Sequence, residues 1–552
     1  MKKRIFGQLV ELLILVPLFL SLTAQPAQAA TYTVTNTNDS GPGSLRQAII
    51  DANANPGLDT ITFSIPSTDT RYSNWTGPSD YWWKITVTSS LPTINDAVTI
   101  DGTTQTTNQG NTNPGQVGTG GTVGVDAISL PRYDKPEIEI DGSRNGGSGF
   151  TMFPVDGNAS NITLKGMALF NGRRGIQSTG GTGTNRVVTD MLIGTRADGS
   201  DPGAAARIIN FGVDVQPPAQ LTVTRSYVGY CGQSGIVGVL SDSVLYVTYN
   251  EVFTNGWNSD AHDGIDVDGI NGEVRYNLSH DNTCTTTNHG CGNGIELGSQ
   301  DAGTGGKVVE NNTSRNNKQG ITIRKGASNN TLRKNIVTAN LGPGILIADE
   351  GRNPTSGNRI SQNSVYDNAG LGIDLSYGTT LTPDGVTLNN GTKNSTYPNN
   401  DMDFPVITLA TLNKYTNILH VEGYVGSASG QTTFANSTLE FFIAAADPSG
   451  YGEGKTFLGT CNTSSTDGNF SCDIDVTGKG MTTDDYLTGT ATDPNNNTSE
   501  FSRNYRATPT AVTLSSFTAR GSASEIPFVI PMLALASTGV IVAAVLKRRR
   551  DL

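Results

Sequence analysis

A short motif, a glycine followed by alternating apolar and other residues, recurs along the middle of the chain. It runs from Gly149 to Gly372 in segments such as GVDV, GIDV, GIEL and GITI, at intervals of 23 to 37 residues. The segments between the motifs are rich in asparagine, as in ENNTSRNNKQ and SGNRISQNSVYDN. A period of this length with short alternating segments predicts a solenoid in which each repeat forms one coil.

Each predicted coil contains about three short strands and cannot bury its apolar side chains alone, whereas stacked coils bury a continuous column of Ile, Val and Leu. Asparagine suits the turns because it tolerates the left-handed conformation and hydrogen-bonds neighbouring backbone. The pattern resembles the right-handed parallel β-helix superfamily over roughly residues 85–378. The predicted fold class is therefore all-β, with a right-handed parallel β-helix over residues 85–400. A propeller is the alternative, but its blades need longer repeats.

Residues 31–84 are predicted to cap the N-terminal end of the solenoid. Within them, SLRQAIIDANANPG predicts a short helix, because Ser44 and Gln47 match a capping box and Asn55 to Gly57 end the helical pattern. The surrounding segment resembles the CSLREA-like entry module of bacterial cell-surface β-helix proteins. Gly43 and Gln47 replace the cysteine and glutamate of that motif.

Residues 401–508 contain alternating strands at short intervals and predict a small β-sandwich. The segment resembles an Ig-like module that often follows such β-helices, and its expected task is to space the β-helix from the membrane. No motif implies a cofactor, although Ca²⁺ is conceivable at DPNNNTSE. Residues 509–525 are predicted to be a polar linker.

The two ends of the chain predict its location. Residues 1–30 combine a basic start, an apolar core and an Ala-Gln-Ala cleavage pattern, as in a signal peptide. Residues 526–546 are apolar and long enough for a single transmembrane helix, and the basic tail 547–552 places the C-terminus in the cytoplasm. A buried core helix is the alternative for 526–546. We therefore expect an ectodomain at the cell surface with a single-pass membrane anchor.

The net charge and the cysteine content indicate which partners and which disulfides to expect. A formal net charge of −12 argues against nucleic acid or an anionic membrane surface as the main partner, and it favours solubility outside the cell and divalent cations. The expected partner of the ectodomain is an extracellular polysaccharide or another cell-surface ligand. Five cysteines in an extracellular chain suggest two disulfides and one thiol. Cys461 and Cys472 flank a turn signal and are predicted to staple a hairpin, while Cys284 and Cys291 are predicted to close a surface loop. Cys231 is predicted to be buried in a strand, and no spacing indicates zinc.

The segment SDAHDGIDVDG, residues 259–269, supplies the candidate site. Residues alternate inward and outward after each motif glycine, which points Asp266 and Glu296 outward on adjacent coils, roughly 5 Å apart. Asp268 is expected diagonally opposite Glu296, with Arg324 one coil beyond. Two carboxylates at that distance do not both ionise easily, and such a pair is what glycoside hydrolysis requires. The candidate catalytic residues are therefore Asp266, Glu296, Asp268 and Arg324.

Three further residues are candidates for ligand binding. His262 and Asp263 lie on the turn that enters the same strand, and Lys325 follows Arg324. A zinc site with His262 is not indicated, since nothing in the sequence fixes the geometry. His280 and His289 are predicted to be loop residues.

The same segments resemble the polygalacturonase family of β-helix hydrolases in SDAHDGIDV, GCGNGIELGS and ITIRKG. That resemblance implies acid–base cleavage of a uronate polymer. The sequence departs from the family pattern: the coil with paired aspartates is missing, and Asn293 stands at the histidine position. Arg324 and Lys325 are adjacent instead of alternating around an isoleucine.

Two functions follow from these observations. The first is an adhesin-like or carbohydrate-binding rod, which the lack of a complete catalytic motif favours, since an outward Asp or Glu on an acidic solenoid is commonly a solvated side chain. The alternative is a polysaccharide-processing enzyme, a hydrolase, lyase or epimerase, in which Arg324 or Lys325 binds a uronate carboxylate or stabilises charge.

Overall fold

The computed structural model describes residues 28–510, apart from 70–71, 74–80, 145–146, 240–241, 259–261, 285–289, 299–304 and 352–354. Residues 1–27 of the predicted signal peptide, nearly all of the predicted linker, the predicted span 526–546 and the basic tail lie outside the described residues. Within the described part of the chain, no helix combines the length and the apolar character needed to cross a bilayer.

Short strands dominate the regular structure of the described residues. The helices are α1 (Leu45–Ala54) and α2 (Thr103–Gln109). The strands that precede the repeats are β1 (Thr31–Val34), β2 (Asp59–Phe63), β3 (Tyr72–Ser73), β4 (Tyr81–Thr86), β5 (Val98–Asp101), β6 (Gln116–Val117), β7 (Thr122–Val123), β8 (Ile128–Ser129), β9 (Tyr133–Asp134) and β10 (Ile138–Asp141). The strands of the repeats are β11 (Thr151–Val155), β12 (Ile162–Lys165), β13 (Ala168–Phe170), β14 (Arg174–Ser178), β15 (Arg186–Thr189), β16 (Leu192–Ile193), β17 (Val213–Val215), β18 (Ala219–Thr224), β19 (Tyr227–Gly229), β20 (Ile236–Gly238), β21 (Ser243–Thr248), β22 (Glu251–Phe253), β23 (Ile265–Val267), β24 (Glu273–Arg275), β25 (Leu278–His280), β26 (Asn293–Leu297), β27 (Val308–Glu310), β28 (Thr313–Arg315), β29 (Gln319–Arg324), β30 (Thr331–Arg333), β31 (Ile336–Thr338), β32 (Ile345–Ala348), β33 (Arg359–Ser361), β34 (Ser364–Tyr366) and β35 (Ile373–Ser376). The strands of the C-terminal part are β36 (Pro405–Asn413), β37 (Ile418–Val425), β38 (Thr438–Ala445), β39 (Glu453–Asn462), β40 (Asn469–Asp475), β41 (Tyr486–Thr492), β42 (Tyr505–Arg506) and β43 (Thr508–Pro509).

Three long sheets contain nearly all strands up to β35. Sheet 1 has the order β1-β2-β5-β12-β15-β18-β21-β24-β27-β30-β33, sheet 2 has β3-β4-β10-β13-β16-β19-β22-β25-β28-β31-β34, and sheet 3 has β11-β14-β17-β20-β23-β26-β29-β32-β35. Neighbouring strands run parallel, except for the pair β3–β4. Because successive strands enter sheet 3, sheet 1 and sheet 2 in turn, each coil places one strand in every sheet. The predicted parallel β-helix is confirmed.

The interior of the β-helix is a column of stacked apolar side chains. The residue after each motif glycine points inward in sheet 3, and these residues are at most 1% exposed: Ile176, Val213, Ile236, Ile265, Ile295, Ile321, Ile345 and Ile373. Full burial of such a side chain is worth roughly 1.5–3 kcal/mol. Since no coil can bury them alone, the coils are stable only as a stack.

The N-terminal end of the stack is covered by α1, as predicted. Ser44 Oγ accepts the Gln47 N–H (3.2 Å), but the Gln47 side chain donates to Asp51 (2.8 Å), so only half of the capping box forms. The apolar face of α1 joins the core of the coils. Sheet 1 begins before the predicted boundary at residue 85, because β1 and β2 already pair within it.

Buried asparagines form ladders at the corners between the sheets. In each ladder the Oδ1 of one asparagine accepts the backbone N–H of its counterpart in the preceding coil, as Asn317 does from Asn282 (3.0 Å). The ladders are Asn250-Asn277-Asn312-Asn335-Asn363, Asn255-Asn282-Asn317-Asn340-Asn368 and Asn330-Asn358-Asn399. These asparagines satisfy backbone donors that water does not reach.

Of the two expected reasons for asparagine in these turns, the ladders confirm hydrogen bonding to neighbouring backbone. The left-handed conformation is taken mostly by the residue before a ladder asparagine. That residue is an asparagine at Asn311, Asn316 and Asn329, but it is another residue at Tyr249, Thr254, Tyr276, Asp281, Lys334, Ala339, Gln362 and Asp367. The ladder asparagines occupy their positions because an amide can both accept and donate along the stack.

Residues 110–137, which we call the strap, leave the coils and run along the outer face of sheet 2. Tyr133 Oη donates to the Tyr249 carbonyl (3.0 Å), Glu251 accepts the Thr119 N–H (2.6 Å), and Asp126 pairs with Lys334 (3.0 Å). The strap buries Val123 and Leu130 against Leu278. An apolar stripe on the outside of sheet 2 is therefore covered by a segment from the beginning of the β-helix.

The C-terminal part is a sandwich of two four-stranded sheets, β40-β37-β36-β43 and β39-β38-β41-β42, with a separate apolar core. Cys461 and Cys472 form a disulfide with Cα atoms 6.2 Å apart. These cysteines lie in different sheets, so the bond joins the two layers and does not staple a hairpin as expected. Cys284 and Cys291 form the second disulfide, and Cys231 is a buried free thiol.

The sandwich closes the last coil of the β-helix. Three buried carboxylates accept its backbone N–H groups: Glu440 from Gln362 (2.7 Å), Glu453 from Asn368 (3.1 Å) and Glu500 from Leu375 (3.0 Å). Phe442 and Phe501 of the sandwich join the apolar core of the coils. Side-chain oxygens thus accept hydrogen bonds from backbone N–H groups that the last coil would otherwise leave unpaired.

Candidate functional site

The predicted outward positions of sheet 3 form one column in the structure. Strand pairing places Asp266 beside Glu296, in the column Gln177-Asp214-Val237-Asp266-Glu296-Thr322-Leu346-Asp374. The expectation that this face is solvated is wrong, because every member from Asp214 onward is buried. Connecting segments fold back over the sheet, as where Leu381 packs on Leu346 and Ala348.

Asp263, Asp266 and Glu296 form a buried cluster on this face. Each places one carboxylate oxygen within 4.8 Å of the others. Asp263 lies in the turn before β23 and is fully buried, and its Oδ1 accepts the Asn293 N–H (2.7 Å). The sequence placed Asp263 at the edge of the site, whereas the fold brings it to the centre.

The side chain of Glu296 is held in place by two donors. Arg324 Nη1 lies 3.3 Å from each of its oxygens, and Asn293 Nδ2 donates to Oε2 (2.8 Å). The other side of the guanidinium makes two hydrogen bonds with Glu350 (2.8 and 2.6 Å). Burial alone would lower the pKa of Arg324, but the carboxylates of Glu296 and Glu350 raise it. Because its donors are engaged, Arg324 positions Glu296 and is not available to bind a uronate as expected.

The environment of Asp263 and Asp266 differs from that of Glu296, because it disfavours their charged forms. Burial raises the pKa of Asp266 well above its usual value, and the charges of Asp268 and Glu296 raise it further. Burial, Glu296 and Asp266 do the same to the pKa of Asp263. Asp266 Oδ1 and Asp263 Oδ2 have no hydrogen-bond partner among the described residues. A proton on this pair satisfies oxygens that would otherwise be buried without a donor.

The fold adds a lysine that the sequence did not suggest. Burial lowers the pKa of Lys307 to about 8, while Asp268 and Asp266 partly offset this, and its Nζ donates to the Gly298 carbonyl (3.4 Å). The partly exposed Asp268 has its pKa raised to about 6 by burial and by Glu296. Lys307 occupies the corner at which the next coils carry the ladder asparagines Asn330 and Asn358. A lysine at a position that is otherwise asparagine was the sequence signal that could have identified it.

The three candidates for ligand binding have different positions. The ring of His262 meets Phe211 edge-on, with centroids 5.2 Å apart. Lys325 is left-handed, with φ 54°, and its charge favours the ionised forms of Asp266 and Asp268. Because β29 ends at Arg324 and Lys325 lies in a left-handed turn, the two neighbouring side chains leave the backbone in different directions. Asp263 is too deeply buried to contact a ligand directly.

The cluster can also be considered as a cation site. Three carboxylate oxygens at this spacing could surround a divalent ion. The guanidinium of Arg324, however, contacts both oxygens of Glu296 and would repel a cation placed beside them. The cluster is therefore better suited to holding a proton.

Other predicted positions have structural contacts elsewhere. His280 lies in β25 and not in a loop, where its Nε2 contacts Glu251 (3.1 Å), while His289 lies outside the described residues. In DPNNNTSE, both oxygens of Asp493 accept hydrogen bonds from Asn497, and Oδ2 pairs with Lys393 (2.8 Å). This segment contributes to the contact between sandwich and coils.

Known proteins share the architecture. The model of the family described as right handed beta helix region matches residues 283–404. The A-module of the Azotobacter vinelandii mannuronan C-5 epimerase AlgE6 is 14% identical, with a TM-score of 0.40 over 62% of this chain and 79% of that one. The AlgE4 A-module is 15% identical, with a TM-score of 0.37 over 61% and 78%. The ORF18 protein of Geobacillus virus E2 is 11% identical, with a TM-score of 0.34 over 90% and 80%. The three parallel sheets and the family match over residues 283–404 together support a right-handed parallel β-helix fold.

Proposed function

We propose that this protein is a polysaccharide-processing enzyme that cleaves glycosidic bonds at Asp266 and Glu296. The observation that carries the proposal is the contrast between these neighbours: Asp266 has an oxygen without a donor and a raised pKa, whereas Glu296 is held by Arg324 and Asn293. Environments that separate two carboxyl groups in this way are what acid and base roles require.

In the proposed reaction Asp266 donates its proton to the glycosidic oxygen as the bond to the anomeric carbon breaks. Glu296 acts as the nucleophile at that carbon, and water later releases the sugar while Asp266 takes back a proton. Adjacent strands are about 4.8 Å apart, close to the carboxylate separation of retaining glycosidases, so we expect retention of configuration.

The proposal also places the protein outside the cell, held at the membrane by its C-terminal tail, where polysaccharide is accessible. The binding rod is the second candidate, and both functions require a glycan to reach a face on which Asp266 and Glu296 are buried. Raised carboxyl pKa values are frequent at functional sites, and what favours the enzyme is that they occur here in a cluster of neighbouring carboxyl groups.

The test uses the full-length protein with polygalacturonate, alginate and arabinoxylan, following both reducing ends and unsaturated products. We expect turnover of one polymer, and its loss in Glu296→Gln and Asp266→Asn. The matched control is Asp214→Asn, which changes a buried carboxyl of the same column two coils before Asp266 and should keep full activity. Retention of a polymer without any product would favour the binding rod, and full activity in both site variants would exclude this site.

A further inference from the structure

A pair of stacked tyrosines, the exposed Tyr377 and the half-buried Tyr397, lies beyond the site at the end of the same sheet. The rings of Tyr377 and Tyr397 are nearly parallel, 12° apart, with centroids 3.9 Å from each other. Tyr377 is 51% exposed, although aromatic rings normally bury most of their surface. One ring supports the other, which leaves a flat aromatic surface open to solvent.

The position of this pair follows from the strand register. Tyr377 comes directly after β35, whose Asp374 lies in the same column as Asp266 and Glu296. Three strand spacings separate Asp374 from Glu296, about 14 Å along the β-helix axis. This distance equals the length of a short oligosaccharide. Because the positions in between, Thr322 and Leu346, are fully buried and Leu381 packs on Leu346, a glycan that reaches both ends runs over the segment that carries Leu381.

The pair is held in place relative to the cluster. Asp349 Oδ1 accepts N–H groups from Gly351 (3.2 Å) and Gly378 (3.3 Å), while Asp384 accepts the Tyr377 N–H (3.1 Å). The turn at Asp349 also contains Glu350, which holds Arg324. The tyrosines and the carboxylate cluster are thus connected through one set of hydrogen-bonded turns, which favours a fixed distance between them.

The exposed ring of Tyr377 is followed in the chain by a polar segment, in which Thr380 and Thr382 contact each other through their hydroxyl groups (3.2 Å). A pyranose ring has an apolar C–H face, and such a face stacks on an exposed aromatic ring.

We propose that Tyr377 and Tyr397 form a distal subsite that stacks against a sugar ring of the glycan chain whose bond lies at Asp266 and Glu296. This inference rests on the proposed function for the identity of the chain. The substrate is then a polymer or long oligosaccharide, because a disaccharide at the cluster does not reach the tyrosines.

The test compares Tyr377→Ala with the wild type on short and long oligomers of whichever polymer is cleaved. Loss of a contact made equally in the ground and transition states raises KM and leaves kcat unchanged. We expect KM to rise about tenfold for long oligomers and to stay constant for disaccharides. Tyr377→Phe should behave like the wild type, since it keeps the ring. Tyr415→Ala, at an 88% exposed residue of the sandwich, is the matched control.

Binding to the same three polymers, measured by affinity electrophoresis in the Glu296→Gln background, separates the two proposals. Binding that depends on Tyr377, with no turnover in the wild type, would overturn the enzyme and keep the subsite. Turnover that is unaffected by Tyr377→Ala on long oligomers would overturn the subsite and keep the enzyme. A dimer that dissociates in Tyr377→Ala, without any effect on the polymers, would also overturn it, because the tyrosines would then bind a second copy of the chain.

Discussion

The pKa of Asp268 links the stability of the protein to the chemistry proposed for the site. Burial and Glu296 raise this pKa to about 6 in the folded protein, compared with about 3.9 in an unfolded chain. The stability contributed by the protonated form is therefore fully present below about pH 3.9 and is lost as the pH rises through about 6. Above pH 6 the folded protein retains a carboxylate that its surroundings disfavour.

Asp268→Asn should consequently stabilise the protein at pH 8 and have little effect at pH 4. Asparagine resembles the protonated carboxyl in shape and carries no charge, so it removes the repulsion from Glu296. The measurement is the melting temperature as a function of pH, with Asp467→Asn on the sandwich as the control. Equal melting temperatures of wild type and variant at pH 8 would contradict the raised pKa.

At the residue scale the sequence predicted the register but not the environment. Each motif glycine sets the alternation of its strand, which is why Asp266 and Glu296 were placed correctly as neighbours. The burial of their column depends on irregular segments, as where Leu381 covers Leu346, and no periodic pattern marks such segments. Lys307 was missed for a related reason, since it reaches the cluster from the next sheet corner.

The ladders are the feature of single elements that most affects stability. Asn277 is fully buried and accepts both the backbone N–H (2.9 Å) and the side-chain amide (3.0 Å) of Asn250. Its own amide donates to the Val247 carbonyl (2.8 Å) and to Asn312 (2.9 Å). One side chain thus ties three consecutive coils together.

Asn277→Ala should destabilise the protein by at least about 2 kcal/mol, because buried donors of Asn250 lose their acceptor. Chemical denaturation followed by circular dichroism measures the change in the free energy of unfolding. Asn462→Ala, at an exposed strand residue of the sandwich, should change it little. Equal effects of the two substitutions would show that the ladder contributes nothing beyond the loss of an ordinary asparagine.

At the element scale the sequence predicted the strands and α1 because both follow from apolar periodicity. The ladders were predicted only in part. An asparagine in a turn can serve either to adopt the left-handed conformation or to hydrogen-bond neighbouring backbone, and composition does not separate these two roles. Only the structure shows that Tyr249 and Lys334 adopt the left-handed conformation, while the asparagines that follow them make the hydrogen bonds between coils.

In the whole molecule, the sandwich and the β-helix share one interface. The sequence predicted a spacer, but the buried Glu453 accepts hydrogen bonds from both the backbone and the side chain of Asn368 (3.1 and 2.8 Å). Burial first, and Asp447 in addition, raise the pKa of Glu453 to about 7. The role in closing the coils was not predictable, since it depends on contacts between residues 85 positions apart.

Rising pH should therefore weaken this interface. The protonated form of Glu453 contributes stability that is complete below about pH 4.3, its unfolded pKa, and lost as the pH rises through about 7. Glu453→Gln keeps the accepting Oε1 and should be more stable than the wild type at pH 8, with a melting temperature that varies less between pH 5 and 8. Asp484→Asn, at a sandwich carboxylate that is 88% exposed, is the control and should follow the wild type. A variant as pH-sensitive as the wild type would assign the effect to another group.

The strap has a consequence for the order in which the chain is made. Gly124 donates to Thr313, 189 residues later, and Lys334 reaches back 208 residues to Asp126. When the strap leaves the ribosome, the surface that receives it does not yet exist. Val123 and Leu130 therefore stay uncovered until the coil of Leu278 has been synthesised. A truncated chain that ends before Leu278 keeps the side chains of Val123 and Leu130 exposed. A protease that recognises apolar segments can therefore cleave the truncated chain in the strap and leave the complete chain intact.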